Sequence, residues 1–444
     1  MSAVAEATGV YRTLFEEREQ RRTPDPPWLP VRRRAALARF EELGFPGRKT
    51  EDWKYTSAAR LARGGFALAA GDVTPDAELL AAAGLGEAFD GHRVVVVNGR
   101  FAPALSSIAP GDGVVLTGLA AALRRHADRI EPHLGPLHPD EQLPFAALNT
   151  ALFDDGACLI VEPGRVVEQP ILFLFLSVAN GADVMSHPRS LVLLGRGSQA
   201  TLVEAWAGSG EREYWTNAVT EIALEDGALL DHYKLQRESE TGGHHVASLA
   251  ATLARDSRFA DLSVSLGGAL ARNDVAARLI GPGAECRLDG LFLPGGSQHV
   301  DTHSRIDHVA PHTRSRQLYK GILDGASRGV FHGRVVVRQD AQKTDAEQSN
   351  RNLLLTREAL VSSTPQLEIL ADDVKCKHGS TTGQLDPVAL FYLRSRGIGE
   401  AEARGLLCWA FASELVSRVR VAAVRELLEG LLRQRLPAMP GGMA

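Results

Sequence analysis

Residues 374–386 read VKCKHGSTTGQLD and set Cys376 and His378 two positions apart, interleaved with Lys375 and Lys377. In a β-strand alternate residues share a face, so Val374, Cys376 and His378 would lie on one side and both lysines on the other. Cysteine and histidine are soft and borderline metal ligands. Two readings stand on these residues alone: a pair of ligands, or a buried thiol beside a hydrogen-bonded, otherwise idle histidine. A second stretch, QHVDTHSRIDHVAPH at 298–312, carries His299, His303, His308 and His312 with Asp301 and Asp307. On strands His299 and His303 would share a face, as would His308 and His312. They could assemble a metal site or simply hydrogen-bond to nearby backbone.

Other candidate motifs fail on spacing or context. GRGSQA at 195–200 imitates a dinucleotide-binding fingerprint, but the following TLVEAW is strand-like where a helix is required, so the segment reads as a turn. GFPGRKT at 44–50 approaches a phosphate-binding loop, yet Arg48 intervenes between Gly47 and Lys49 and breaks the required spacing. No nucleotide site is expected by that route. No Ser-His-Asp order or paired-carboxylate pattern argues for a hydrolase.

The four cysteines, Cys158, Cys286, Cys376 and Cys408, form no Cys-x-x-Cys pair, which argues against a zinc ribbon, a ferredoxin-type cluster or a disulfide framework. Reduced thiols in the cytoplasm are the natural expectation. The 444 residues carry a formal net charge of −5, so no global pull toward nucleic acid or anionic membrane is expected. The basic REQRRTPDPPWLPVRRR is local and reads as a solvated, proline-broken face. No apolar run of about 18 residues occurs, and no signal-peptide core opens the chain.

Three regions must position these residues. Residues 1–90 read as a helical domain, with Ala35, Leu37, Phe40 and Leu43 at helical intervals and Gly44 closing the helix. ARLARGGFALA and DAELLAAAGLGEAF continue in that style. Residues 91–385 carry short β-branched runs separated by small turn residues. Gly197, Gly227, Ser257 and Gly283 align at steps of 30, 30 and 26 residues. A strand-turn-strand unit recurring without helices suits a β-solenoid, although a β-sandwich also gives many short strands. Residues 386–444 return to helix, opened by Asp386 as N-cap and Pro387 at the first helical position. Leu406, Leu407 and Phe411 belong to an apolar stripe larger than two or three helices can bury among themselves. The stripe packs on the chain's own solenoid or docks a partner; both remain open.

The run 299–411, with YKGILDG, AQKTDA, PQLEI, ADDVKCKHG and FYLRSRGI, closely resembles the SufB/SufD family of the SUF iron–sulfur assembly machinery. KTEDWKYT at 49–56 looks like the SufD branch. The resemblance implies a right-handed parallel β-helix between helical domains. It also implies a non-catalytic scaffold that builds nascent clusters and supports iron acquisition, working with a SufB paralogue across a β-helix interface. The ATPase SufC would dock on the C-terminal helices at Leu406, Leu407 and Phe411. An iron–sulfur cluster, held transiently and shared with SufB, would be liganded by His378, with Cys376 a less certain companion. In isolation the chain could pair with itself. The competing function is a β-helix enzyme acting on polysaccharide, which would need a secretion signal and a charged cleft.

Overall fold

The computed structural model describes residues 3–20, 25–71, 73–86, 89–135 and 143–436. The strands form two sheets, one of eleven strands and one of ten, and the chain alternates between them. Strand Arg258–Ser265, for example, pairs in parallel with Leu229–Gln236 before it and Glu285–Phe292 after it. Between those strands the chain crosses to Gly243–Leu253 and Leu270–Leu279, which pair in the other sheet. This is a parallel β-solenoid, and the sandwich alternative falls, because antiparallel pairing is confined to the first strands.

Left-handed residues sit at one corner of successive coils: Gly197, Gly227, Asp256, Gly283, His312 and Lys343 all have φ between 55° and 76°. Most donate a backbone hydrogen bond to the coil above, as Gly227 does to Arg255 O at 2.8 Å and Lys343 to Asp373 O at 2.7 Å. The residue after each is small or hydroxylated and buried: Ser198, Ala228, Ser257, Ala284, Thr313 and Thr344. Ser257 is therefore the residue beneath the turn, and Asp256 is the left-handed one. Asp256 holds that conformation because a short polar side chain tolerates it better than a bulkier one. GRGSQA is the turn between Arg189–Leu194 and Gln199–Gly210, with no helix following.

The solenoid lumen is filled by apolar residues such as Phe173, Leu202, Ile222, Leu253, Phe259, Leu288 and Phe331. It also holds charge: His232 Nδ1 lies 2.7 Å from Asp261 Oδ1, and Lys234 Nζ donates to Asn273 Oδ1 at 2.7 Å. Helices Leu119–Arg125, Ala127–Ile130 and Pro144–Leu152 lie within the stretch 91–385, which the sequence presented as strands alone. They cover the beginning of the solenoid, Leu119 and Leu123 packing with Cys158, Ile160 and Leu191.

The N-terminal helices Ala3–Gln20 and Leu29–Leu43 pack through Tyr11, Phe15 and Phe40 toward Trp215 on the outer face of the eleven-stranded sheet. Gly44 ends the second helix with φ 64°. FALA, which read as helix, instead gives a short strand, Ala67–Leu68, paired with Val184–Ser186. The C-terminal helices Glu400–Val416 and Ala422–Arg435 cover the outer face of the ten-stranded sheet, burying Cys408, Leu415, Val424 and Leu428 against Leu235, Leu262 and Leu291. No helix among the described residues is long and apolar enough to cross a membrane.

Candidate functional site at the open end of the solenoid

Both sheets finish on unpaired strands. Leu360–Ile369 pairs only with Arg328–Val337, and Lys375–Gly383 only with Asp345–Leu354. In a parallel ladder a residue directs its N–H and C=O to the same neighbour, and the next residue directs both the other way. Lys375 donates to Thr344 O at 2.8 Å, so the backbone groups of Cys376, His378, Ser380 and Thr382 face the open edge. On the other sheet Leu360 donates to Ser327 O, which places Pro365 at an open-edge position where no donor is lost.

The register explains what Cys376 and His378 continue. Cys376 stacks on Ala346, Ser315, Cys286 and Phe259 in successive coils. His378 stacks on Gln348, Gln317, Leu288, Asp261 and His232. The lumen thus becomes polar toward its open end, where Gln348 Nε2 donates to Gln317 Oε1 at 2.5 Å and Asn352 Nδ2 to Asn350 Oδ1 at 2.7 Å. Ser363 and Ser380 hydroxyls meet at 2.8 Å across the two edge strands.

Cys376 is half-buried against Val335, Val337 and Ala346, and His378 is exposed. Lys377 lies on the other face, 3.2 Å from Glu347. Burial pushes the Cys376 thiol up from its ordinary value, partly opposed by a backbone hydrogen bond from Ala346, so it stays protonated at neutral pH. The other thiols are fully buried, and burial pushes Cys158 up to about 12 and Cys408 up to about 11. Cys376 is thus the one cysteine with partial access to solvent.

The four histidines of 298–312 do not converge. His299 Nε2 lies 2.8 Å from Thr56 Oγ1, and His303 shares that outer face. His308 points into the lumen, with Nδ1 2.7 Å from Thr313 Oγ1 and Nε2 2.9 Å from Ser315 Oγ. His312 occupies a left-handed turn. Leu406, Leu407 and Phe411 are half-buried, and Phe411 packs beneath Lys320, whose Nζ is 4.5 Å from the ring centroid. Among the described residues of the C-terminal helices, the large apolar side chains that do face solvent are Val388, Phe391 and Tyr392, 72%, 73% and 56% exposed. They sit on Pro387–Ser395, whose first turn is capped by Asp386 accepting from Val388 N. Sequence patterning missed them because a short helix with apolar residues all round resembles a buried one.

Comparison with known proteins gives matches along nearly the whole chain. Residues 177–411 match the family model described as SUF system FeS cluster assembly, SufBD core domain. Residues 5–173 match that of the SufBD protein N-terminal region. The chain is 32% identical over 432 residues to the iron–sulfur cluster assembly protein SufD of Escherichia coli, covering 96% of this chain and 95% of that protein. It is 34% identical over 415 residues to an iron–sulfur cluster assembly SufBD family protein of Synechocystis, covering 91% and 89%. Identity to the SufD of Bacillus subtilis is 25% over 439 residues.

Proposed function

Because the chain belongs to the SufBD family of SUF-system iron–sulfur cluster assembly proteins, we propose that it is a SufD-type, non-catalytic scaffold subunit that joins a SufB paralogue through the open end of its solenoid. The observation that carries this is the asymmetry of the solenoid: one end finishes on the short antiparallel strands Arg100–Phe101 and Val114–Gly118, while the other presents two long strands, each paired on one side only, and a polar lumen. An unpaired edge is a template for strand addition by another chain. In that assembly His378 supplies an imidazole to iron or to a nascent cluster at the interface. Cys376 assists only where the metal displaces its proton, since burial holds the thiol neutral. One or two ligands from each chain make a partial site that can release its cargo, whereas a cluster is ordinarily held by four protein ligands.

The ATPase SufC docks on the C-terminal helices. Half-buried Leu406, Leu407 and Phe411 form the base of that surface, and exposed Val388, Phe391 and Tyr392 form its outer part. The four free thiols fit a reducing compartment such as the cytoplasm. The polysaccharide-enzyme alternative is set aside by the family match.

The test is co-purification of this chain with its SufB- and SufC-type partners, followed by iron and sulfide determination. In His378→Ala the complex is expected to assemble normally and to load far less cluster, and Cys376→Ser to have the smaller effect. Wild-type loading and growth complementation in His378→Ala would remove that residue from the cluster site.

A further inference from the structure

His303 and His332 are direct register partners on adjacent parallel strands, His299–His308 and Arg328–Val337. Both point outward, and neighbouring strands bring in-register side chains within about 5 Å. Their rings meet at a centroid distance of 4.8 Å and an angle of 74°, with the two Nδ1 atoms 3.2 Å apart. The N-terminal segment crosses over this pair and adds Asp52, whose Oδ1 lies 4.0 Å from His332 Nδ1. The three donor atoms fall within 4.8 Å of one another.

A second layer orders the first. His303 Nε2 lies 3.2 Å from Asp301 Oδ1, and Asp301 is buried, its other oxygen taking a hydrogen bond from Arg272 Nη1 at 2.8 Å. The Asp301 carboxylate is thus held between the Arg272 guanidinium and the His303 ring. An ionised carboxylate at Nε2 keeps the proton on that nitrogen and leaves the lone pair on Nδ1, the arrangement found behind metal-bound histidines. Arg272 Nη1 also donates to the Asp52 backbone oxygen at 2.6 Å, and its guanidinium stacks on the Trp53 ring at 4.2 Å. Asp52 is thereby held in place by its backbone while its carboxylate stays free to reach the rings.

We propose that Asp52, His303 and His332 form a binding site for a divalent first-row transition ion, with Asp301 as the residue that fixes the His303 tautomer. Two imidazole nitrogens and one carboxylate suit Fe2+, Co2+, Ni2+ or Zn2+, and they leave coordination positions open. Those positions face a cleft of about 340 Å³ bordered by Arg305 and Arg334, where water or an anion completes the shell. A hydrogen bond between the two rings would use one lone pair; a cation uses both. The site lies on the outer face of one sheet, whereas His378 lies on the last strand of the other. That the cellular ion is Fe2+ rests on the assembly function; the site itself does not.

The probe is Co2+ titrated into the untagged full-length chain, read by visible d–d absorption and by stoichiometry. One Co2+ is expected, displaced by Zn2+ and, under anaerobic conditions, by Fe2+. His303→Ala and His332→Ala should abolish it, and Asp52→Asn should weaken it about tenfold or more. Circular dichroism monitors folding, and Asp52→Asn changes an exposed side chain, so at least one variant stays interpretable. His378→Ala should bind Co2+ normally, which separates failure of this site from failure of the cluster-site reading. Absence of the bands in wild type, or their persistence in the two alanine variants, would overturn the proposal. So would their loss in His378→Ala alone.

Discussion

His308 shows how a single buried side chain ties stability to pH. Both ring nitrogens meet hydroxyls, which can each donate or accept, so the neutral ring is fully satisfied. Burial lowers its pKa to about 4, with Asp307 opposing, and burial lowers His187 to about 3. A histidine depressed in the folded state contributes stability above its unfolded value near 6.5 and loses it as pH falls. His308 alone accounts for about 3 kcal/mol of stability lost between pH 6.5 and 4. Urea denaturation of His308→Gln should show a shallower loss across that window, while above pH 7 the cost of the substitution is constant. A slope unchanged from wild type would refute the assignment. The sequence alone separated His308 from His303 only by strand parity. It could not reveal that His303 has His332 as its partner, since that pairing exists only once the register is set 29 residues apart. Charges inside the lumen, such as Lys234 and Asp261, were equally hidden, because polar residues on alternating strands read as solvent-facing.

The helix Pro387–Ser395 and the strand Lys375–Gly383 present opposite kinds of surface at the element scale. Phe391 is mostly exposed, so Phe391→Asp should leave the melting temperature within about 1 °C while sharply weakening association with the ATPase. Phe411→Asp should behave differently. Its ring lies under Lys320, and placing a carboxylate there should cost about 2 kcal/mol of folding stability. Calorimetry and pull-down on the two variants distinguish docking from packing. On the edge strand, Thr382 directs its N–H away from its own ladder. Thr382→Pro should keep the fold but weaken binding of the SufB-type partner about fivefold, the worth of one backbone hydrogen bond near 1 kcal/mol. Unchanged affinity by calorimetric titration would move the interface elsewhere. The solenoid period was legible because each turn needs one residue that tolerates positive φ and one small residue beneath it. The helices at 119–152 were not, because short apolar segments rich in alanine and leucine lack the length that separates helix from strand.

Across the whole molecule, the solenoid's neighbour-to-neighbour pairing contrasts with the segment around residues 48–57. That segment crosses the outer face and fastens to residues far along the chain: Asp52 to Arg272, 220 residues away, and Thr56 to Asp301, 245 away. Coils can assemble as soon as the adjacent coil exists, but this segment cannot seat until strands past residue 300 are made. At about 5–20 residues per second, it waits roughly 10–50 s after synthesis before its partners leave the ribosome. Until then Trp53 has no Arg272 guanidinium over its ring, and Asp301 lacks the Thr56 hydroxyl that caps it. The outer-face histidines therefore gain their third donor, Asp52, only when the earliest-made part of this region closes last. Any ion acquired there during biosynthesis would be held first by the two rings and only afterwards by the carboxylate.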